Sequence, residues 1–245
     1  MTTNSTDRFA LYGATSAIGL AVARLYAARG AHIWLAARDG ERLDRAAADL
    51  KARGAASVDV ATADLSDTKG LAALVDKMGH ANHVLIAYGT LPDQRTAERD
   101  TRAAERHLTT NFTSPALLLD LLAAKAQKGD CLATITSVAG DRGRQSNYLY
   151  GAAKGGLSRF IEGLRHRLAP DVRVIDIRPG FVRTPMTDGM NRDGALWADP
   201  EAVAKRIVGA MTGKHNGTLY VPGIWRLIMT VIRSVPAPIF HKTKL

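Results

Sequence analysis

Short apolar runs that alternate with helical segments constrain the fold of this chain more than any other feature. Six runs are rich in aliphatic and β-branched residues, at positions 8–12, 32–36, 57–61, 84–87, 132–136 and 172–177. Helical pattern separates each run from the next, beginning with helices expected at residues 18–29 and 41–53. Strands and helices in this order predict a doubly wound α/β fold, with a parallel sheet and crossover helices on both faces.

Composition places the chain among globular proteins. It has 245 residues, 46% of them hydrophobic, and no Pro/Gly/Ser-rich linker divides it, so a single domain is expected. The one cysteine, Cys131, lies in an apolar run, which is typical of a buried thiol in a reducing compartment. The N-terminal residues contain no apolar leader. The expected location is therefore the cytoplasm.

A formal net charge of +10 predicts attraction to anions such as phosphorylated cofactors, acidic substrates or an anionic membrane surface. Lysines and arginines are scattered along the helices, and no helix-turn-helix, zinc or RNA-binding motif is visible in the sequence. We therefore expect no nucleic-acid partner and no metal site.

The segment from Gly13 to Gly19 joins the first strand to the first helix. Gly13 permits a tight turn, Gly19 permits close packing of helix on sheet, and the free N–H groups that open the helix face a pyrophosphate. The candidate cofactor-binding residues are Gly13, Thr15, Ser16, Ile18 and Gly19. A small-residue turn without a ligand is the alternative, because such turns are common after strands.

Arg38 follows the second strand, about twenty residues beyond this turn. An acidic residue here would bond the ribose 2′-hydroxyl of NAD, whereas an arginine suits the 2′-phosphate of NADP. Arg38 therefore favours NADPH as the cofactor. NADH, or a surface arginine that touches no cofactor, is the alternative.

Tyr150 and Lys154 are four residues apart in a helical segment, and Ser137 lies thirteen residues upstream of Tyr150. Positions i and i+4 share a helix face, and a nearby cation favours the ionised form of a phenol. Tyr150 is therefore a candidate general acid/base, with the Ser137 hydroxyl placed to polarise a carbonyl. The pair alone is a weak signal, because many helices contain this spacing by chance.

Together these features resemble the short-chain dehydrogenase/reductases, from Arg8 to about Val221. The motifs that carry the resemblance are the turn 13–19, Asp64-Leu65, Ala87-Tyr88-Gly89, Asn111, Ser137, Tyr150, Lys154 and Pro179-Gly180. The resemblance implies a seven-stranded Rossmann-type sheet, a nicotinamide cofactor, reduction of a ketone and a homo-oligomer.

It also implies roles for individual residues. Tyr150 would donate the proton and Ser137 would orient the carbonyl. Lys154 would bind the nicotinamide ribose and lower the pKa of Tyr150, and Asn111 would hold a water in the proton relay. Asp64 would bond the adenine, and Thr184 the carboxamide or the phosphates. The further cofactor contacts that it implies are Leu65, Gly89, Pro179, Gly180 and Val182.

Two departures from the family pattern stand out. Ala17 replaces a glycine of the cofactor turn, which adds only a methyl group. Residues 86–89 read Ile-Ala-Tyr-Gly where the family has Asn-Asn-Ala-Gly. The loss of an asparagine removes contacts that brace the turn, and Tyr88 is expected to place a large ring near the substrate.

Residues 137–148, 177–184 and 220–236 show a narrower resemblance, to the reductases of decaprenylphosphoryl-ribose epimerisation. It implies a 2-keto pentose on polyprenyl phosphate, formed by a partner flavoenzyme. Arg142 and Arg144 fit such a substrate, since guanidinium pairs well with phosphate, although a solvated loop is as good a reading of the motif. A soluble reductase of another ketone, such as a 3-oxoacyl group, and a catalytically silent NADP-binding regulator remain the other hypotheses.

The C-terminal residues separate from the rest by composition. We expect residues 1–222 to form the Rossmann-type domain and residues 223–245 an apolar, basic segment. Trp225, Ile228, Met229 and Ile232 recur at helical spacing, and the basic end of the chain contains His241, Lys242 and Lys244. Two arginines and the break at residues 236–238 disfavour a spanning helix. A helix at the inner membrane surface, or one packed on the core or on a partner subunit, are the alternatives.

Overall fold

The computed structural model describes residues 7–190 and 194–243. Over these residues the chain forms a parallel sheet of seven strands in the order β3-β2-β1-β4-β5-β6-β9, with helices on both faces. The predicted doubly wound fold is confirmed. The order reverses between β1 and β4, and in such sheets a crevice opens at the carboxyl ends of the strands where this happens.

The strands agree with the apolar runs to within about two residues. The sheet is formed by β1 Arg8–Tyr12, β2 His32–Ala37, β3 Ser57–Thr62, β4 His83–Ile86, β5 Cys131–Ile135, β6 Arg173–Pro179 and β9 Gly217–Val221. A separate short pair consists of β7 Phe181–Val182 and β8 Trp197–Ala198. The α-helices are α1 Ala17–Ala27, α2 Gly40–Ala52, α3 Leu71–Met78, α4 Gln94–Arg99, α5 Thr101–Leu108, α6 Ser114–Ala123, α7 Tyr148–Leu168, α8 Pro200–Thr212, α9 Ile224–Ser234 and α10 Ala237–Phe240.

Two apolar layers hold the sheet. Side chains of α1, α2 and α8 cover one face, and those of α3, α6 and α7 cover the other. Because both faces are covered, the central strands are almost continuously apolar, as expected of a parallel sheet. The Cys131 thiol is buried as predicted, and this burial raises its pKa to about 12.

The C-terminal segment is part of the folded unit. One face of α9 buries Trp225 and Met229, which pack with Val138 from the loop after β5. The opposite edge leaves Leu227 and Val231 exposed. One face of α9 therefore packs on the core, which was one of the expected alternatives, and the other face is exposed. Lys244 lies outside the described residues.

Candidate active site

A cavity of about 390 Å³ lies at the carboxyl ends of the strands. It collects nearly all the side chains singled out in the sequence, although they are spread over most of the chain. The residues predicted for cofactor or chemistry that line it are Gly13, Thr15, Ser16, Ile18, Arg38, Asp64, Leu65, Gly89, Asn111, Ser137, Tyr150, Lys154, Pro179, Gly180, Val182 and Thr184. Tyr88 and Arg144 also line it, whereas Gly19 and Arg142 do not. The functional roles of these residues stay predictions.

The turn after β1 needs glycine for a steric reason. Gly13 has a φ of +94°, and a Cβ there would lie 2.7 Å from the backbone nitrogen of Tyr88. Gly19 is equally constrained, since a Cβ would come within 3.0 Å of Ala87 and Leu11. Ser16 caps α1 by accepting a hydrogen bond from the Gly19 N–H. The glycines thus let β1, β4 and α1 converge at the cavity, as the sequence predicted for close helix–sheet packing.

Two arginines flank the cavity beyond this turn. Arg38 and Arg42 both line it, and Arg42 donates to the Thr15 carbonyl. The nearest acid in sequence, Asp39, is not available to a ribose, because its carboxylate caps α2 through the Arg42 N–H. Arg42 had no role in the sequence prediction. Its position four residues after Arg38 was the signal that could have revealed it.

Asp64 follows β3 and is held by a local turn. Its carboxylate accepts hydrogen bonds from the backbone and the hydroxyl of Ser66, at 2.9 and 2.7 Å. The Ser66 hydroxyl is the main cause of a lowered pKa at Asp64, and the charge of Arg38 adds to it. The carboxylate is therefore fixed and ionised at the cavity wall.

Ser137 reaches Tyr150 because backbone packs on backbone. A Cβ at Gly155 would lie 2.8 Å from the Gly140 carbonyl, and a Cβ at Gly151 would lie 2.9 Å from the Ala139 carbonyl. The 3₁₀ turn Val138–Asp141 therefore rests directly on α7. As a result the Ser137 hydroxyl lies close enough to the Tyr150 phenol to influence its pKa. These α7 glycines were not recognised in the sequence, although they belong to the same motif as Tyr150 and Lys154.

Burial dominates the electrostatics of the pair. It raises the pKa of Tyr150, and the nearby Ser137 hydroxyl opposes this only in part. Lys154 is 3% exposed and donates to the Ile135 carbonyl at 3.1 Å. Burial lowers the pKa of Lys154 to about 8, against the opposing charge of Asp176. Burial is therefore the dominant influence on the pKa of Tyr150, and the lowering of that pKa by Lys154 stays a prediction.

Asn111 lies in a short π-helix, Thr109–Thr113, between α5 and α6. Such widened turns are frequent at functional sites. The side chain is fully buried, accepts from the Thr90 N–H and directs its amide group at His107 and the Thr90 hydroxyl. A relay water would therefore need a partner other than this amide. Thr90 and His107 were both missed in the sequence, where a lone threonine and histidine give no signal.

Tyr88 lines the cavity, but its side chain is also committed to the core, and contact of its ring with a substrate stays a prediction. Its ring packs against the core formed by α3, α6 and α7, and its hydroxyl lies 2.7 Å from the Ser114 hydroxyl. Ser114 in turn donates to the Leu65 carbonyl. Tyr88 therefore braces the strand ends from inside and presents no free hydroxyl to a substrate. These contacts brace the strand ends in a protein that lacks the asparagine of the family pattern.

The two arginines after Ser137 have separate roles. Arg142 donates to the carbonyls of Ile232 and Val235 at 2.5 and 2.6 Å and lies over the Phe240 ring at 3.9 Å. It therefore anchors α9 and α10, and its assignment to a substrate is corrected. Arg144 lines the cavity, and its Nε has no hydrogen-bond partner among the described residues.

A buried network of ion pairs holds the loop that contains Asp141 and Arg144. Arg178 pairs with Asp141 at 2.6 Å and with Asp176 at 2.7 Å, and Tyr220 donates to Asp141 at 2.7 Å. The Asp141 carboxylate is thus committed to β6 and β9, and it is not a direct partner of Arg144. Burial consequently lowers the pKa of Arg144, with only a partly opposing effect from Asp141.

One side of the cavity is apolar. It is lined by Leu91, Phe181, Met186 and Met190, of which Met186 and Met190 are well exposed. Phe181 stacks on Trp197 and meets Trp225 edge to face. These residues were not selected from the sequence, since scattered methionines in a loop carry no pattern.

The fold and this site define a class of protein: a doubly wound nucleotide-binding-type sheet with a tyrosine, lysine and serine gathered at its carboxyl edge. The family profile described as short chain dehydrogenase matches residues 9–195. The chain belongs to this family, and it is an oxidoreductase by that membership.

Individual relatives agree with this family. The chain is 38% identical over 237 residues to an uncharacterised oxidoreductase of Streptomyces coelicolor, covering 94% of this chain and 93% of that protein. It is 36% identical over 240 residues to an uncharacterised oxidoreductase of Mycobacterium tuberculosis, covering 95% of both. It is 34% identical over 195 residues to a ketoacyl reductase of the granaticin polyketide synthase of Streptomyces violaceoruber, covering 76% and 71%.

Among solved structures, a short chain dehydrogenase from Burkholderia cenocepacia in complex with NADP has the same fold, with a TM-score of 0.82 and 18% identity over 98% and 97% of the two chains.

Proposed function

We propose that this protein is an NADPH-dependent ketone reductase. The observation that carries the proposal is the Tyr150, Ser137 and Lys154 cluster at the wall of the cavity. A phenol with a raised pKa keeps its proton at neutral pH, so Tyr150 has a proton to donate. That preference suits reduction, in which a carbonyl oxygen gains a proton.

The cavity walls fit a dinucleotide phosphate. The N-terminus of α1 lies at the cavity, and the N–H groups at a helix N-terminus favour a pyrophosphate. Arg38 and Arg42 suit a 2′-phosphate, while Asp39 is withdrawn as a cap. When bound, NADPH supplies a hydride to the carbonyl carbon. Ser137 then holds the carbonyl oxygen, and Tyr150 transfers its proton to that oxygen as the C=O π bond is broken.

For the substrate we propose the 2-keto group of a pentose on polyprenyl phosphate, delivered by a flavin-dependent oxidation of the sugar. Arg144 supports this, because a partly buried guanidinium without a carboxylate partner favours an anionic ligand. The apolar side at Phe181, Met186 and Met190 fits the start of a prenyl chain.

The second candidate is a 3-oxoacyl thioester. The ketoacyl reductase among the relatives favours it, and the apolar side of the cavity accepts an acyl chain as well. Neither substrate needs a metal or a second domain. The choice between them depends on whether the site recognises phosphate.

The test compares two ketones with purified full-length protein and NADPH. One is a 2-keto pentose on a short prenyl phosphate, and the other is the neutral acetoacetyl thioester of N-acetylcysteamine. A higher kcat/KM for the phosphate-bearing ketone supports the first substrate. Preference for the thioester supports the second, and turnover of neither ketone would contradict a reductase of this kind.

We also propose contact with an anionic membrane surface. Among the helices described, none is both long and apolar enough to cross a membrane. The edge of α9 exposes Leu227 and Val231, which are 63% and 59% exposed, and cations Arg226 and Arg233 are exposed on the same helix. An apolar edge beside cations is typical of a helix that lies at a lipid headgroup layer.

Point variants test this contact better than a deletion, because removing α9 would strip Trp225 and Met229 from the core. The full-length protein should sediment with phosphatidylglycerol vesicles and not with pure phosphatidylcholine vesicles. Leu227→Asn/Val231→Asn should abolish sedimentation, while Leu117→Asn, an exposed leucine on α6, should not. Absence of sedimentation by the natural sequence would contradict the contact.

A further inference from the structure

The first turn of α7 carries the proposed proton donor, since Tyr150 is the third residue of the helix Tyr148–Leu168. Helix ends fray more readily than helix interiors. The first N–H groups of a helix have no partner inside it and need an acceptor from elsewhere. The group that supplies this acceptor therefore bears on how firmly Tyr150 is held.

The residue at the ordinary capping position does not supply it. Asn147 precedes the helix, and asparagine is among the preferred N-cap residues. Its side chain makes no capping hydrogen bond, and its amide oxygen has no partner among the described residues. A group outside α7 takes this role.

That group is Gln94, the first residue of α4. Gln94 is 8% exposed, and its Oε1 accepts a hydrogen bond from the Leu149 N–H at 3.1 Å. Leu149 is the neighbour of Tyr150 in the chain. A side chain 55 positions earlier in the sequence thus caps the helix of the proton donor.

Two contacts fix the orientation of the Gln94 amide. Its Oε1 faces a backbone N–H, which can only donate, and its Nε2 donates to a Glu98 carboxylate oxygen at 3.4 Å. A flipped amide would place NH₂ against the Leu149 N–H and oxygen against the Glu98 oxygen. The amide is therefore held with its oxygen toward α7.

The segment that leads into Gln94 forms part of the cavity. Residues 89–91, which follow β4, all line it. Thr90 and Asn111 exchange two hydrogen bonds, from the Thr90 N–H to Oδ1 and from Nδ2 to the Thr90 hydroxyl, both at 3.1 Å. Gln94 attaches the other end of the segment to α7. The segment therefore bridges the buried Asn111 and the turn that carries Tyr150.

This turn also touches the loop of Ser137. A Cβ at Gly151 would lie 2.9 Å from the Ala139 carbonyl, so the helix backbone rests on that loop. The position of Tyr150 relative to Ser137 therefore depends on how the first turn is seated. A displacement of about 1 Å at a reacting group can cost about a hundredfold in rate.

We propose that Gln94 is a positioning residue of the site, which caps the first turn of α7 and thereby holds Tyr150 in place beside Ser137. The inference rests on the proposed ketone reduction, because a displaced phenol matters to the rate only if it donates a proton. The capping contact itself can be tested without a substrate.

The first measurement is amide hydrogen exchange, followed by NMR in isotope-labelled full-length protein. Gln94→Met is close in size and removes the acceptor, so the Leu149 amide should exchange about tenfold faster or more. Gln94→Glu keeps an acceptor at a helix N-terminus and should retain slow exchange. The buried middle of α7, at Leu157 and Ile161, should exchange at the natural rate in both variants.

Two results of this measurement would overturn the proposal, even if no ketone were ever reduced. One is unchanged exchange of the Leu149 amide in Gln94→Met. The other is faster exchange along the whole of α7, because the substitution would then cause a general loss of stability.

The second measurement compares kcat, KM and the Kd for NADPH, with whichever of the two ketones above is turned over faster. Gln94→Met should lower kcat about tenfold and leave the Kd for NADPH within about twofold, because it moves the proton donor and not the cofactor wall. Gln94→Glu should restore kcat to within about threefold of the natural value. A fall in kcat of the same size in both variants would contradict a role through the capping contact.

Arg95→Met, a substitution of an exposed arginine on α4, is the matched control and should change neither exchange nor kcat. Should Gln94→Met fail to fold, Gln94→Asn takes its place, because it keeps the amide but is one methylene too short to reach Leu149. It should show the same faster exchange and the same lower kcat. A natural kcat in a variant whose Leu149 amide exchanges fast would show that Gln94 does not position Tyr150.

Discussion

The cavity has two walls that are built in different ways. We call the residues after β1 to β5 together with Lys154 the strand-end wall, and the loop 138–144 with α9 the C-terminal wall. In the strand-end wall most functional groups lie within a few residues of their own strand, and Lys154 lies one helical turn after Tyr150 on α7. In the C-terminal wall, Arg142 bonds carbonyls about ninety positions away in the sequence. The first wall is therefore local in sequence and the second is held by long-range contacts.

This difference predicts how substitutions act. Changes in the strand-end wall should alter chemistry while the fold remains stable. Changes in the C-terminal wall should divide into those that loosen the fold and those that weaken substrate binding. The following substitutions test this division, from the largest expected effect to the smallest.

Lys154→Met should lower kcat by about a hundredfold or more, because it removes a charged donor placed in the site. It should also stabilise the fold by about 1 kcal/mol, since a buried cation is replaced by an apolar side chain. Urea unfolding measures the second effect.

The stability difference between Lys154→Met and the natural protein should also depend on pH, in a direction set by the pKa of Lys154. With a folded pKa of about 8, below the unfolded value of 10.5, natural Lys154 costs stability below pH 8, and this cost disappears as pH rises from 8 to 10.5. The stability gap between variant and natural protein should therefore shrink over that interval. A variant less stable than the natural protein at pH 7 would contradict this account of the wall.

Arg38→Asp should change cofactor preference. Loss of a charge-assisted contact to the 2′-phosphate should shift the ratio of kcat/KM for NADPH over NADH by about ten- to a hundredfold toward NADH. Arg45→Asp is the matched control, because this arginine is exposed on α2, just after Arg38 in the chain, and does not line the cavity. Equal NADPH-to-NADH ratios of kcat/KM in the natural protein and in Arg38→Asp would show that Arg38 does not recognise the 2′-phosphate.

Arg142→Ala and Arg144→Ala should separate the two functions of the C-terminal wall. The first should lower the free energy of unfolding by about 1–3 kcal/mol, through lost carbonyl contacts and the lost Phe240 contact. The second should change stability by less than about 0.5 kcal/mol and raise KM for the prenyl phosphate ketone about tenfold, with the neutral thioester unaffected. If Arg142→Ala raised KM and Arg144→Ala lowered stability instead, the roles assigned to the two arginines would be wrong.

A smaller effect is expected from pH alone. Because the pKa of Lys154 is about 8, kcat/KM for ketone reduction should fall as pH rises above 8, by at most tenfold per pH unit. Tyr150 keeps its proton over this range, because burial raises its pKa. Initial rates from pH 6 to 10 measure this decrease. A kcat/KM that stayed constant above pH 8 would show that ketone reduction does not need the Lys154 charge.

The sequence predicted the strand-end wall well because its information is local. A glycine turn after a strand, a cation about twenty residues on, and a tyrosine and lysine one helical turn apart can each be recognised within a short window. The alternating apolar runs then determine the order in which these pieces meet. That is why the fold class and the set of cavity residues followed from the residues themselves and the family resemblance.

The rest depended on contacts that no short window contains. Arg142 and Arg144 are equivalent in the motif, and only the position of α9 separates them. The hydrogen bond between Tyr88 and Ser114 could not be predicted, because the two residues are 26 positions apart. The position of His107 against Asn111 and Thr90 gave no signal in the sequence. The effect of burial on the pKa of Tyr150 could not be predicted either, because the depth of burial is a property of the fold.

The proton donor is the central claim of this account, and Tyr150→Phe tests it most directly. The measurement pairs turnover of the preferred ketone with the Kd for NADPH, obtained by fluorescence titration of the same preparations. The phenylalanine variant should lose turnover by about a thousandfold while its Kd stays within about twofold of the natural value. Turnover that survived the substitution with NADPH still bound would show that another group donates the proton.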